Sequence, residues 1–185
     1  MRVLIACEFS GIVRDAFSSR GHDAWSCDLL ASERASERHF QCDVREVWGK
    51  QWDLMIAHPP CTYLCVSGNR WMKQPKRQWQ QQEALAFAKA LGECWLIEKT
   101  CVENPIGRLS TLWRKPDQII QPWQFGHEEK KATCLWLKGL PKLKPTKIVL
   151  PLEARVHECQ PGPDRWKERS RTMQGIAEAM ASQWG

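Results

Sequence analysis

Leu54-Met55-Ile56-Ala57-His58-Pro59-Pro60-Cys61 decides the fold of this chain. Four consecutive apolar residues without polar alternation read as a short strand buried on both faces, the kind found in parallel sheets. The prolines that follow cannot extend a central strand, so the chain must leave the sheet at His58. The same grammar recurs on either side. Residues 3–7 form an apolar run that Ser10-Gly11 breaks, and 12–20 carry Ile12, Val13, Ala16 and Phe17 at helical spacing up to a stop at Gly21. Residues 24–27 read as a second strand ending in Asp28, and 39–44 as a weaker third ending near Asp43. Downstream, 62–76 read as a loop and 78–98 as a long helix with Ala84, Leu85, Ala88 and Leu91 on one side. Residues 100–102 read as a fifth strand and 132–137 as a sixth, preceded by Ile119-Ile120. A Pro-rich irregular stretch covers 144–164, and 176–184 close the chain as a helix. Strands alternating with helices predict an α/β fold of one domain over 1–185, a mostly parallel sheet with helices on both faces.

Composition agrees with a globular chain. Its 185 residues are 43% hydrophobic and 26% charged, enough for a real core. Lys plus Arg number 27 against 21 Asp plus Glu, a net charge of +6 that suits a polyanionic partner. The excess is local: residues 130–147 hold six lysines and no acid, and 70–77 hold Arg70, Lys73, Lys76 and Arg77 without an acid. No stretch approaches a membrane span of roughly 20 apolar residues. The N-terminal apolar run is too short for a signal peptide. The nine cysteines are therefore expected as free thiols in a reducing cytoplasm. His58, Cys61 and Cys65 lack the paired spacing of a zinc site, so no metal is expected.

In open parallel sheets, ligands bind beyond the carboxyl ends of the strands. Glu8, Asp28, Asp43, Cys61 and Glu103 all read as lying at such ends, which points to one shared cleft. A prolyl-held thiol with a separate carboxylate suits attack on an electron-poor ring, with a pyrimidine base as target. One group adds to the ring and the other protonates it. Beside this stand plainer readings: Cys61 as a small core residue, Glu103 as a strand cap, Asp28 and Asp43 as loop acids. After Cys61, Arg70-Trp71-Met72-Lys73 and Lys76-Arg77-Gln78-Trp79 interleave cations with indoles. Cations neutralise phosphate and indoles stack on bases.

The ordered set of motifs resembles the DNA (cytosine-5-)-methyltransferase family. Phe9-Ser10-Gly11 resembles its cofactor turn, Gly21 to Asp28 its second strand, and Asp43-Val44 its third. Pro60-Cys61 resembles its nucleophile motif, Glu103-Asn104 its Glu-Asn-Val motif, and the segment from Phe125 to Leu137 its Gln-x-Arg-x-Arg strand. The segment from Arg171 to Ala181, with Gln174-Gly175, resembles its terminal cofactor motif. The chain departs from the pattern at Val13 for a glycine, at Glu8 (an acid one position late), at Thr62 for Gln and at Pro105 for Val. Glu129, Lys131 and Thr133 take the three positions of the arginine strand, and no Asn follows Gly175. The short segment 140–168 stands where the family carries a target-recognition domain, so the chain resembles the minimal catalytic domains that some bacteriophages encode.

The resemblance implies a Rossmann-like fold dependent on S-adenosylmethionine (SAM), acting in the cytoplasm, a host's if the chain is phage-encoded. It implies Cys61 as nucleophile, Glu103 as the acid on the ring, Asn104 as its orienter, and Arg70 or Lys131 as the cation that favours the thiolate. It implies a cofactor across Glu8, Phe9, Ser10 and Gly11, with Asp28 on ribose, Asp43 near adenine, and Pro59 and Gly175 along its length. DNA is the implied partner, single-stranded or with a base flipped from the duplex, held by Arg70, Trp71, Lys73, Lys76, Arg77 and Trp79. Without a recognition domain, target selectivity is expected to be low, or to come from the loop 62–82 and the segment 140–168, or from a protein partner. Two alternatives remain open: methylation of a free deoxycytidine nucleotide, and a catalytically inactive nucleic-acid-binding module or partner subunit.

Overall fold

The computed structural model describes residues 1–66, 74–151, 162 and 165–185. Seven strands form one sheet in the order β3-β2-β1-β4-β5-β7-β6. β1 (Arg2–Ala6), β2 (Asp23–Asp28), β3 (His39–Gln41), β4 (Leu54–Ala57) and β5 (Lys99–Pro105) run parallel. β6 (Gln118–Ile120) and β7 (Thr133–Lys138) close one edge antiparallel. The arrangement is α/β and compatible with a Rossmann-like fold.

Period-two alternation sorts the core into two layers. Val3, Ile5, Leu54 and Ile56 face α1 (Ile12–Ser18) and the closing helix, while Leu4, Ala6, Met55 and Ala57 face α2 (Pro75–Gly92). α1 inserts Val13 and Phe17 into the first layer, and α2 adds Ala88 and Leu91 to the second. Two short helices complete the described chain before the last one: α3 (Leu109–Leu112) and α4 (Arg165–Ser170). The closing helix, α5 (Gln174–Trp184), buries Ile176, Met180 and Trp184. No helix among the described residues is long and apolar enough to cross a membrane.

Several boundaries differ from the sequence reading, among them the ends of α1 at Ser18 and of β3 at Gln41. α2 starts at Pro75, where a proline fits the first helical turn because no hydrogen bond is lost there. It ends at Gly92, leaving Trp95 and Leu96 exposed beyond it. β5 continues through Glu103, Asn104 and Pro105, because β7 pairs with those residues (Glu103↔Leu135, Asn104↔Cys134, Pro105↔Thr133). Glu103 therefore projects from within a strand, not from the loop after it. Helix α4 begins directly after the stretch 144–164 read as irregular; neither it nor α3 was anticipated.

β1 lies between β2 and β4, so the chain winds outward in opposite directions from β1. Such a switch point leaves a crevice beyond the carboxyl ends of the two central strands. The segments that emerge there are Cys7 to Gly11 and His58 to Cys61.

Candidate active site

The turn after β1 is built around a buried carboxylate. Glu8 Oε1 accepts hydrogen bonds from Val13 N at 2.7 Å and Ser10 Oγ at 3.1 Å, and Oε2 accepts from Arg14 N at 3.2 Å. Both oxygens satisfy donors at the start of α1, where a negative charge is favoured. Glu8 thus holds the turn's shape, a use of the side chain other than the cofactor contact expected of it. Ser10 is likewise engaged with Glu8. Gly11 has φ +72°, and a Cβ there would stand 2.6 Å from Arg14 Nη2, so the turn needs glycine. Phe9 is buried, its ring 5.7 Å from that of Trp166 on α4.

A narrow slot of about 110 Å³ opens between this turn and β2. Cys7, Leu29, Val44, Pro60 and Phe87 wall it, and Asp28 and Asp43 border it. The two acids differ. Burial raises the Asp28 carboxyl above its ordinary value, although Oδ1 accepts from Leu30 N at 2.9 Å. Arg45 holds Asp43 down to about 2, and Asp43 also caps a short 3-10 turn (Val44–Glu46) with Glu46 in a reciprocal box. Of the pair, Asp43 is bound by Arg45, while Asp28 meets the backbone of Leu29 and Leu30. Burial pushes the Cys7 thiol up to about 12, so it lines the slot as a neutral group.

On the other side of the crevice, α2 and the turn after β5 clamp the Pro-Pro-Cys segment. Gln81 Nε2 donates to Tyr63 O at 2.9 Å, and Arg108 N donates to Leu64 O at 2.6 Å. Pro59 is buried, and its carbonyl accepts from Asn104 Nδ2 at 2.8 Å. Cys61 is half-buried, and Cys65 N donates to its carbonyl at 2.9 Å, closing one α-turn. The Cys61 thiol is held above its ordinary range by its hydrogen bond with Cys65 and then by burial. Arg169 of α4 acts in the opposite sense.

Glu103 Oε2 lies 2.8 Å from His58 Nδ1 and accepts from Thr172 Oγ1 at 3.3 Å. Burial alone would raise the Glu103 carboxyl and lower the His58 imidazole. Their mutual charge and hydrogen bond outweigh it, so Glu103 sits below its ordinary value and His58 above. The positive charge of Lys131 adds to the lowering of Glu103, while its Nζ donates to Arg171 O at 3.0 Å. Among the described residues, no partner meets the buried His58 Nε2 or Asn104 Oδ1.

Of the predicted residues, Asn104 is bonded to Pro59, two residues before Cys61, Glu103 feels the charge of Lys131, Asp28 borders the slot, and Phe9 packs on Trp166. Gly175 stands apart from the slot. Its N donates to His127 Nε2 at 2.9 Å, and a Cβ would lie 2.0 Å from Phe125 O, so it seats α5. Thr172 joins the crevice to a second, wider cleft of about 690 Å³ whose wall includes Ile12, Arg171, Gln174 and the buried Glu129. Arg70, Trp71 and Lys73 lie outside the described residues. Lys76, Arg77 and Trp79 stand on the first turns of α2, not in a loop. Lys76 and Trp79 are exposed, and Arg77 lies over the Tyr63 ring at 5.9 Å.

Three functional candidates escaped the sequence reading: His58 as a partner of Glu103, Thr172, and Arg169. The signal for His58 was its place one residue before Pro-Pro at a strand end. The other two come from a segment more than sixty residues further along the chain, and no local pattern pairs them with Glu103 or Cys61. Replacing Arg169 by Gln is expected to slow Cys61 alkylation by iodoacetamide at about pH 8 by roughly threefold to tenfold, since one pKa unit is tenfold in thiolate. Peptide mass spectrometry reads the rate at Cys61, and an unchanged rate would remove Arg169 from the site.

Comparison with protein-family models gives no match, and comparison with curated proteins gives none. The functional reading rests on the residues and their geometry.

Proposed function

We propose that the chain is a SAM-dependent methyltransferase that modifies carbon-5 of cytosine in DNA through a transient adduct to Cys61. One observation carries the reading: Glu103 and Asn104 of β5 are bonded to His58 and Pro59, the same turn that presents Cys61. A nucleophile and an acid on adjacent strand ends fit the two faces of one task. The neighbouring slot offers apolar walls for a flat ring, with Asp28 at its border for a ribose hydroxyl. SAM, when bound, supplies an electrophilic methyl group.

The side chains then divide the work. Cys61 Sγ, as thiolate, adds to carbon-6, and the displaced π electrons reach ring nitrogen-3, which takes a proton from Glu103. Carbon-5 becomes enamine-like and nucleophilic. After its methylation the carbon-5 proton leaves, nitrogen-3 returns its proton, and Cys61 departs. Asn104 is held by Pro59 O and offers its unpartnered Oδ1 to the same ring. A base inside a duplex must be flipped out to reach this turn, at a cost of a few kcal/mol. Lys76 and the exposed Trp79 at the start of α2 suit contact with phosphate and an unstacked base.

The test incubates DNA with the protein and SAM labelled in the methyl group, then digests it to nucleosides for mass spectrometry. Labelled 5-methyldeoxycytidine is expected. Label appearing only when free deoxycytidine monophosphate is offered would move the substrate to the nucleotide. No label in either would leave a binding module.

A further inference from the structure

We propose that His58 is a positioning residue that stores, on Nδ1, the proton Glu103 hands to the bound ring. The inference rests on the reading of Glu103 as the acid, and it concerns a residue outside that reading. Glu103 must do two things that conflict in a lone carboxyl. It must carry a proton when the ring needs one, yet a carboxyl of ordinary affinity is ionised above about pH 5. An imidazole with Nδ1 2.8 Å away resolves the conflict, because Glu103 favours its protonated form. The pair holds one proton between its two members well above the carboxylate range. Nδ1–H lies on Oε2, so the pair's single proton passes from Nδ1 to the carboxylate and from it to ring nitrogen-3, leaving the imidazole neutral and Glu103 ionised. The balance is one proton from the pair to nitrogen-3 as the sulfur–carbon bond forms, and one proton back when that bond breaks.

The surroundings are those of a proton store. Thr172 Oγ1 also donates to Oε2, which leaves Oε1 as the oxygen without a described protein partner. Among the described residues no group bonds His58 Nε2, so none of them fixes the imidazole in one protonation state. The charged groups around the imidazole are Glu103 on β5, Glu8 after β1, Asp28 at the end of β2 and Lys131 before β7. Three of the four are acidic, and Glu103, the one in contact, favours the protonated ring most. Helix α4 adds Arg169 on the Cys61 side of the crevice.

The experiment follows both titration and turnover in wild type and His58→Asn, each first checked for folding by circular dichroism. Side-chain carbon NMR, with the Glu103 signal assigned by its loss in Glu103→Gln, is expected to show Glu103 ionised from about pH 5 upward in wild type. In His58→Asn burial is no longer opposed, and the Glu103 midpoint is expected to rise by at least about one unit. An unchanged midpoint overturns the proposal. In turnover, kcat/KM of His58→Asn is expected to fall about tenfold or more at about pH 8 and to recover relative to wild type at about pH 6, where solvent can protonate Glu103 directly. A loss equal at both pH values would make His58 merely structural and would also overturn it. Wild type without methyl transfer at any pH would instead reject the methyltransferase reading, with the titration still deciding whether the pair holds the proton.

Discussion

Cys61→Ser is expected to lose methyl transfer by on the order of 10⁴-fold or more while keeping the fold. The substitution removes only the sulfur. A serine hydroxyl has no base in contact to ionise it, whereas a thiol loses its proton within a few units of neutrality. Cys61 already starts from a disadvantage, because Cys65 and burial hold it as the neutral thiol. An oxygen nucleophile in the same place faces a far larger barrier. The side chain is half-buried and the backbone bond from Cys65 to residue 61 is retained, so stability should move by less than about 1 kcal/mol. The same variant should fail to form a covalent complex with DNA containing 5-fluorocytosine, where the wild-type adduct cannot resolve. Radiolabelled methyl transfer and a denaturing gel read the two effects. A serine variant that still methylates cytosine would remove the adduct from the mechanism.

Glu103→Gln is expected to cost about 10²–10⁴-fold in kcat with a much smaller change in KM, the signature of an acid used in the transition state. The amide matches the carboxylate in shape and can still meet Thr172, but it cannot carry the proton. It also leaves His58 without its counter-charge. The stability consequence has a definite pH window. The Glu103 carboxyl is lowered in the folded state, so its contribution is present above the unfolded value of about 4.3 and lost as pH falls through the folded one. The His58 imidazole is raised, so its contribution is complete below the unfolded value of about 6.5 and lost as pH rises through the folded one. The deficit of Glu103→Gln against wild type should therefore be greatest between about pH 4.3 and 6.5 and narrow on both sides. Urea unfolding across that range measures it. A deficit that grows steadily toward pH 9 would contradict the ion pair.

Much of the fold was legible because its central strands are unambiguous. Leu54–Ala57 was read with its observed bounds, and β1 and β2 within a residue, since a buried parallel strand leaves no polar positions to confuse the pattern. The far end of β5 was not legible. Glu103 and Asn104 are polar, and nothing local says that β7 pairs with them. α4 was missed for a related reason: six residues, none buried, give no periodic apolar face. Among the acids, sequence could place Glu8, Asp28 and Asp43 near one crevice but not rank them. Glu8 caps α1, Asp43 is held by Arg45, and Asp28 meets the backbone of Leu29 and Leu30 at the border of the slot.

Residue order alone thus determined that a thiol, a carboxylate and several acids emerge near the same rim of a parallel sheet, because strand direction and short connections follow from local apolar patterning. The tertiary structure alone decided their surroundings: which carboxylates are spent on backbone donors, that His58 Nδ1 lies 2.8 Å from Glu103 Oε2, and that Arg169 and Thr172 arrive from the far end of the chain. Charge and hydrogen bonding act through space over a few ångströms, and separation along the chain carries no record of that distance.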